Sequence, residues 1–127
     1  MDPITERFLI ACAQGDSEVL TQAMEQGADA GSLTEQGDNG LHLACHFGHV
    51  ELIGPLVRHG VSTNTQNTEG RTPANICASE GRGDCFAALM EATEGKADIT
   101  TPDKAGRNVR ETAVFQLAQS QQHAQGG

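Results

Sequence analysis

Three histidines and a cysteine fall within one eight-residue window: His42, Cys45, His46 and His49. On a helix His42 and His46 share a face one turn apart, a spacing at which two imidazoles can hold zinc. Protein zinc sites take three or four converging ligands, and this pair supplies only two. Cys45 directly precedes His46, and a thiol becomes a nucleophile only with a base in reach and an activating environment. Adjacent helical residues point apart, so that pairing does not form. No phosphate-cradling glycine loop, serine elbow or paired-carboxylate signature accompanies them. The expectation is no catalytic residue, no metal and no cofactor. A His/Cys metal-binding protein is the rival reading, decided by metal analysis of untagged protein.

Other short motifs carry little chemistry. Arg82-Gly83-Asp84 spells an integrin-recognition tripeptide, but it lies where a turn between helices is expected, with Asp84 placed to cap the second helix. Thr72-Pro73 and Thr101-Pro102 read as proline-directed phosphorylation sites. Thr72 is more simply a helix cap, which leaves Thr101 as the better candidate.

The elements that position these residues are set by a repeat. Gly15, Gly48 and Gly81 are spaced by 33 residues, and Gly27 and Gly60 keep the same interval. The skeleton of Gly37-Asp38-Asn39-Gly40-Leu41-His42-Leu43-Ala44-Cys45-His46-Phe47-Gly48-His49 returns as Gly70-Arg71-Thr72-Pro73-Ala74-Asn75-Ile76-Cys77-Ala78-Ser79-Glu80-Gly81. Ala11-Cys12-Ala13-Gln14-Gly15 stands one period earlier. A fixed period of this size means stacked supersecondary units. Each unit reads as two short helices. Asp2-Pro3 starts the first, and Phe8, Leu9, Ala11 and Cys12 give it a buried side. Val19, Leu20, Ala23 and Met24 stripe the second, which Gly27 ends. The third unit starts at Thr72-Pro73, with Phe86, Leu89 and Met90 on its second helix. Asn108 can cap a last helix carrying Val109, Ala113, Val114, Leu117 and Ala118.

These motifs resemble the ankyrin repeat, whose signature runs G-x-T-P-L-H-x-A-A-x-x-G-H and closes with G-A-D. Leu41, His42, Ala44, Gly48 and His49 match in one copy; Gly70, Thr72, Pro73, Ala78 and Gly81 match in the next. Gly27-Ala28-Asp29 carries the closing motif, and Asp103 to Asn108 is similar to the D-x-x-G-x-T opening. The resemblance implies an all-α solenoid of antiparallel helix pairs joined by β-turn fingers. It covers one domain, residues 1–120, with repeats at 1–33, 34–66 and 67–102 and a capping helix at 103–120. Residues 121–127 follow as a disordered polar tail. Asn39-Gly40 departs from Thr-Pro, and Arg110 falls where the family has an apolar residue. Gly54-Pro55 lies inside a helix, where proline removes a hydrogen bond and usually kinks it. About three extra residues near the end of the third repeat are expected to lengthen its second helix.

The resemblance also implies roles. The family's His at the position of His42 braces neighbouring turns through backbone hydrogen bonds. Partners bind a concave face made of the finger tips and the exposed side of each first helix. Carried over residue by residue, that face comprises Glu35, Gln36, Asp38, His46 and Phe47, then Thr68, Glu69, Arg71, Ser79 and Glu80, then Lys104, Arg107 and Phe115. Its first half is acidic and its far end basic. The implied function is a non-enzymatic adaptor or inhibitor that binds a protein partner. A structural protein assembling with itself through an imperfect C-terminal end is the alternative, tested by mass in solution.

Composition agrees with stacking. The chain has 127 residues, four Phe and no Trp or Tyr, too few bulky side chains for one globular core. Stacked units need only Leu, Ile, Val and Ala against their neighbours. A formal net charge of −9 argues against nucleic acid and anionic membranes and favours a neutral or basic protein surface. The apolar run Phe8 to Ala13 is too short for a signal peptide, and nothing approaches a membrane span. Cys12, Cys45, Cys77 and Cys85 read as small core residues in a reducing compartment. A monomer in the cytoplasm or nucleus is expected.

Overall fold

The computed structural model describes residues 2–109. The expected capping helix beyond Val109, with Arg110 and Phe115, lies outside them. Six helices run in order: α1 (Pro3–Gln14), α2 (Ser17–Glu25), α3 (Gly40–Phe47), α4 (Val50–His59), α5 (Pro73–Ser79) and α6 (Gly83–Ala92). No strand occurs among the described residues. The helices pair in sequence, and the pairs stack: α1 packs on α3 and α3 on α5, while α2 lies against α4 and α4 against α6. This is the all-α repeat solenoid that the sequence resemblance implies.

Local chemistry explains each start. The Asp2 carboxylate accepts from the Thr5 amide at 2.8 Å, and Pro3 occupies the first helical position, where its missing N–H costs nothing. Thr72 and Asn75 form a reciprocal capping box ahead of Pro73. Asn39-Gly40 achieves the same end by other means. The Asn39 side chain accepts from the Leu41 and His42 amides, while His42 Nδ1 accepts from the Asn39 amide at 3.0 Å. Gly40 is also a packing choice. A Cβ there would stand 3.0 Å from Cys12 Sγ and 3.2 Å from a Leu56 methyl.

Two turn glycines are fixed by what covers them. Gly15 has φ 76°, and a Cβ on it would lie 2.4 Å from the His49 ring. Gly48 has the same φ, with the Arg82 guanidinium 2.8 Å away from such a Cβ. Each turn is roofed by a side chain of the next repeat.

The core is a single apolar seam through all three pairs, with Phe8, Leu20, Leu41, Leu52, Ile53, Leu56 and Leu89 fully buried. Burying each such side chain contributes roughly 1.5–3 kcal/mol. All four cysteines are buried and free. Burial pushes the Cys12 thiol up to about 12 and the Cys85 thiol up to about 11. The Cys45 thiol is raised first by its hydrogen bond with Cys77 and then by burial. They serve as small apolar fillers.

Pro55 lies inside α4 as expected, and the helix continues past it to His59. Gly54 lacks the Cβ that normally clashes with a following proline ring, and the lost bond would have gone to Glu51 on the exposed side. The extra residues of the third repeat do not lengthen α6, which has 10 residues like α4. They form a turn at Thr93 to Gly95, with Glu94 and Gly95 both at positive φ. Asp84 is not the cap of α6. That helix starts one residue earlier, after Arg82, and the Asp84 carboxylate accepts from the Cys85 amide.

Candidate partner-binding surface

The connections between pairs project as three fingers built on one hydrogen-bond pattern. At each tip the first residue's N–H donates to the fifth residue's carbonyl: Thr34 to Asp38, Asn67 to Arg71, and Asp103 to Arg107, at 2.8–2.9 Å. The fourth residue, Gly37, Gly70 or Gly106, donates back to the first at 2.9 Å. A side chain on the first residue then ties the tip. Asn67 accepts from the Glu69 and Arg71 amides, and Asp103 accepts from those of Ala105 and Arg107. Neighbouring fingers are joined as well. The Thr68 amide donates to the Gln36 carbonyl at 2.9 Å, and the Lys104 amide to the Glu69 carbonyl at 3.0 Å.

Long-range struts fix the fingers to the helices. His42 is fully buried, and its Nε2–H donates to the Arg71 carbonyl at 2.8 Å, which places the proton on that nitrogen. Burial lowers the pKa of His42 below the ordinary 6.5, so the ring stays neutral. One repeat on, Asn75 substitutes: its Oδ1 accepts from the Thr72 amide and its Nδ2 donates to the Thr101 carbonyl. His49 Nε2 reaches the Ala13 carbonyl at 2.9 Å; Arg82 Nε reaches the His46 carbonyl, 33 residues further along, at 3.3 Å. His59, which the sequence did not single out, bonds the Ala28 carbonyl and packs on Phe8 at 5.7 Å.

The histidines of the opening window are therefore scattered in role. His42 and Cys45 are buried, His49 holds a turn, and His46 faces outward. Among the described residues no group of three or more His, Cys, Asp or Glu is placed to hold a metal. The Arg82 side chain of the Arg-Gly-Asp tripeptide is laid across Gly48. Thr101 is engaged too: its hydroxyl donates to Asp98, whose carboxyl is held at about 2 by the Thr101 and Thr100 hydroxyls and amides.

Of the described residues carried over to a binding face, all but the half-buried Asp38 and Arg71 are exposed. Several are also tied into the ledge. Asp38 accepts from Asn67 Nδ2 at 2.8 Å. Arg71 lies 3.5 Å from Glu69 and 3.8 Å from Asp103, and Arg107 lies 3.3 Å from Asp103. The Asp103 carboxyl sits below the usual carboxylate range; burial opposes this, and the Arg107 amide and guanidinium outweigh it. His46 Nδ1 pairs with Glu80 at 2.8 Å. Phe47 is 49% exposed, edge-on to His46 at 4.7 Å and stacked with His49 at 6.4 Å. One residue of this ledge escaped the sequence reading. Leu33, just before the first tip, is 43% exposed, and its signal was an apolar side chain at a position where the next finger has Gln66.

Away from the ledge, a shallow open groove between α2 and α4 is lined by Thr21, Met24, Glu25, Pro55, Arg58 and His59. No helix among the described residues is long and apolar enough to cross a membrane.

Stacked helix hairpins with a laddered row of fingers define a helical repeat solenoid. The chain belongs to the ankyrin-repeat family: residues 8–103 match the family described as Ankyrin repeats (3 copies). It is 29% identical over 77 residues to an ankyrin repeat-containing protein of Schizosaccharomyces pombe, covering 61% of this chain and 37% of that protein. It is 28% identical over 87 residues to SH3 and multiple ankyrin repeat domains protein 2 of Homo sapiens, covering 68% and 5%. An E3 ubiquitin-protein ligase of Arabidopsis thaliana is 30% identical over 95 residues, covering 74% and 17%. The chain thus spans well under half the length of these relatives.

Proposed function

We propose that this chain is a non-enzymatic protein–protein interaction module, acting as a small adaptor or inhibitor that binds a protein partner through its finger and first-helix ledge. Ankyrin repeats are in general protein-interaction modules, and exposed side chains, Glu35, Gln36, Phe47 and Lys104 among them, stand on a braced surface. The observation that carries the reading is the finger ladder. Backbone hydrogen bonds from the Thr68 amide to the Gln36 carbonyl and from the Lys104 amide to the Glu69 carbonyl hold the tips in fixed register, so little ordering entropy opposes docking. The module works as a monomer in the cytoplasm or nucleus, on a partner surface that is neutral or basic and is neither nucleic acid nor membrane.

Affinity capture with the native chain and with a Glu35→Lys/Phe47→Ala/Glu69→Lys variant tests this. Asp38 is left intact because it braces Asn67. The expected result is a defined partner lost from the variant at unchanged melting temperature. Identical capture by both proteins overturns the ledge as the binding surface.

A further inference from the structure

The charge is unevenly distributed. Residues 1–69 carry ten Asp or Glu against Arg7 and Arg58, while residues 70–127 carry seven against six Lys or Arg. The ledge repeats this imbalance at close range. The first finger and its approaches, residues 28–40, hold Asp29, Glu35 and Asp38 with no cation. In the second finger Glu69 is matched by Arg71 at 3.5 Å. The third presents Lys104 and Arg107 around Asp103, a carboxylate only 4% exposed and shared by Arg71 and Arg107. Among the described residues of the ledge, the exposed large apolar side chains lie at the acidic end. Leu33 lies on the first finger, and Phe47 ends the helix that follows it.

From this order we infer that the partner segment is itself polarised. Apolar side chains seat on Leu33 and on Phe47, with Lys or Arg beside Glu35, and a carboxylate lies toward Lys104 and Arg107. Because the fingers are bonded to one another, the order of charges on the ledge is fixed and imposes one direction on the segment. Like charges brought together in the reverse direction oppose docking, so the gradient supplies orientation more than affinity. This inference rests on the ledge being the binding surface.

The test is a selection from a random peptide display library on the immobilised full chain, followed by affinity measurement on variants. Enriched peptides should place Lys or Arg beside Leu, Ile or an aromatic residue, with Asp or Glu always on the same side. Glu35→Lys and Lys104→Glu should each weaken such a peptide about tenfold. The double variant should prefer the peptide with its charges exchanged. Peptides that need Phe47 but show no charge order overturn the inference and leave the ledge reading standing. No enriched peptide, or peptides indifferent to Phe47→Ala in a variant that melts like the native chain, overturns both.

Discussion

His42 and Asn75 occupy the same position in consecutive repeats and perform the same two tasks with different chemistry. Each accepts from the amide of its own helix cap, and each donates to a carbonyl of the following finger. Around them the two junctions are built differently. Across the first two pairs the core is bulky, with Phe8, Leu20, Leu41, Leu52, Ile53 and Leu56 all fully buried. In the third pair the buried side chains are mostly small: Ala74, Cys77, Ala78 and Cys85, beside Ile76 and Leu89. There the Thr72/Asn75 box, the Asp98 clasp and the Asp103 hub carry more of the order. The difference teaches that one repeat grammar can be held by apolar bulk at one junction and by polar bonds at the next.

The largest expected effect therefore lies at the first junction. Phe8→Ala should cost about 3–5 kcal/mol, read as a fall in the urea midpoint, because it empties a fully buried ring site beside Gly40 and His59. A cost below about 1 kcal/mol would remove the contrast between the junctions. Next is His42→Ala, expected to cost about 2–3 kcal/mol by leaving the buried Asn39 amide without its partner and the Arg71 carbonyl with only the Asn67 amide of its two donors.

The two equivalent residues also separate by pH. Burial lowers the pKa of His42, so its contribution is present above the ordinary value of 6.5 and is lost as pH falls through the folded value. Stability should drop as pH falls below 6.5 in the native chain. His42→Asn, which copies the third repeat, should flatten that part of the profile; an unchanged slope would assign the titration elsewhere. A smaller effect is expected at the polar junction. Asp98→Ala should cost about 1 kcal/mol, since the clasp it forms with Thr100 and Thr101 is largely open to water.

Much of the fold was legible because repeats write their geometry as a period. The glycine interval located the turns at Gly15, Gly27, Gly48, Gly60 and Gly81, and Asp2-Pro3 and Thr72-Pro73 announced their helices by cap chemistry. The role of His42 followed from its place in the signature. Other features depend on contacts between distant residues. Nothing local to Arg82 says that it replaces His49 one repeat on, bonding the carbonyl of His46 as His49 bonds that of Ala13. The described ledge residues do lie on fingers and at first helices, yet their types could not show that Asp38 holds Asn67, that Arg71 and Arg107 share Asp103, or that Glu80 pairs with His46. Leu33 was missed because an isolated leucine in a loop looks like any core residue until its exposure is seen.

The central claim is that stacking makes the ledge stiff before any partner arrives, and amide hydrogen exchange of the free chain tests it most directly. The Thr68 and Lys104 amides, which donate to the Gln36 and Glu69 carbonyls, should exchange as slowly as interior amides of α3. Exchange of these two at the rate of an unstructured peptide, with α3 still protected, would contradict the account.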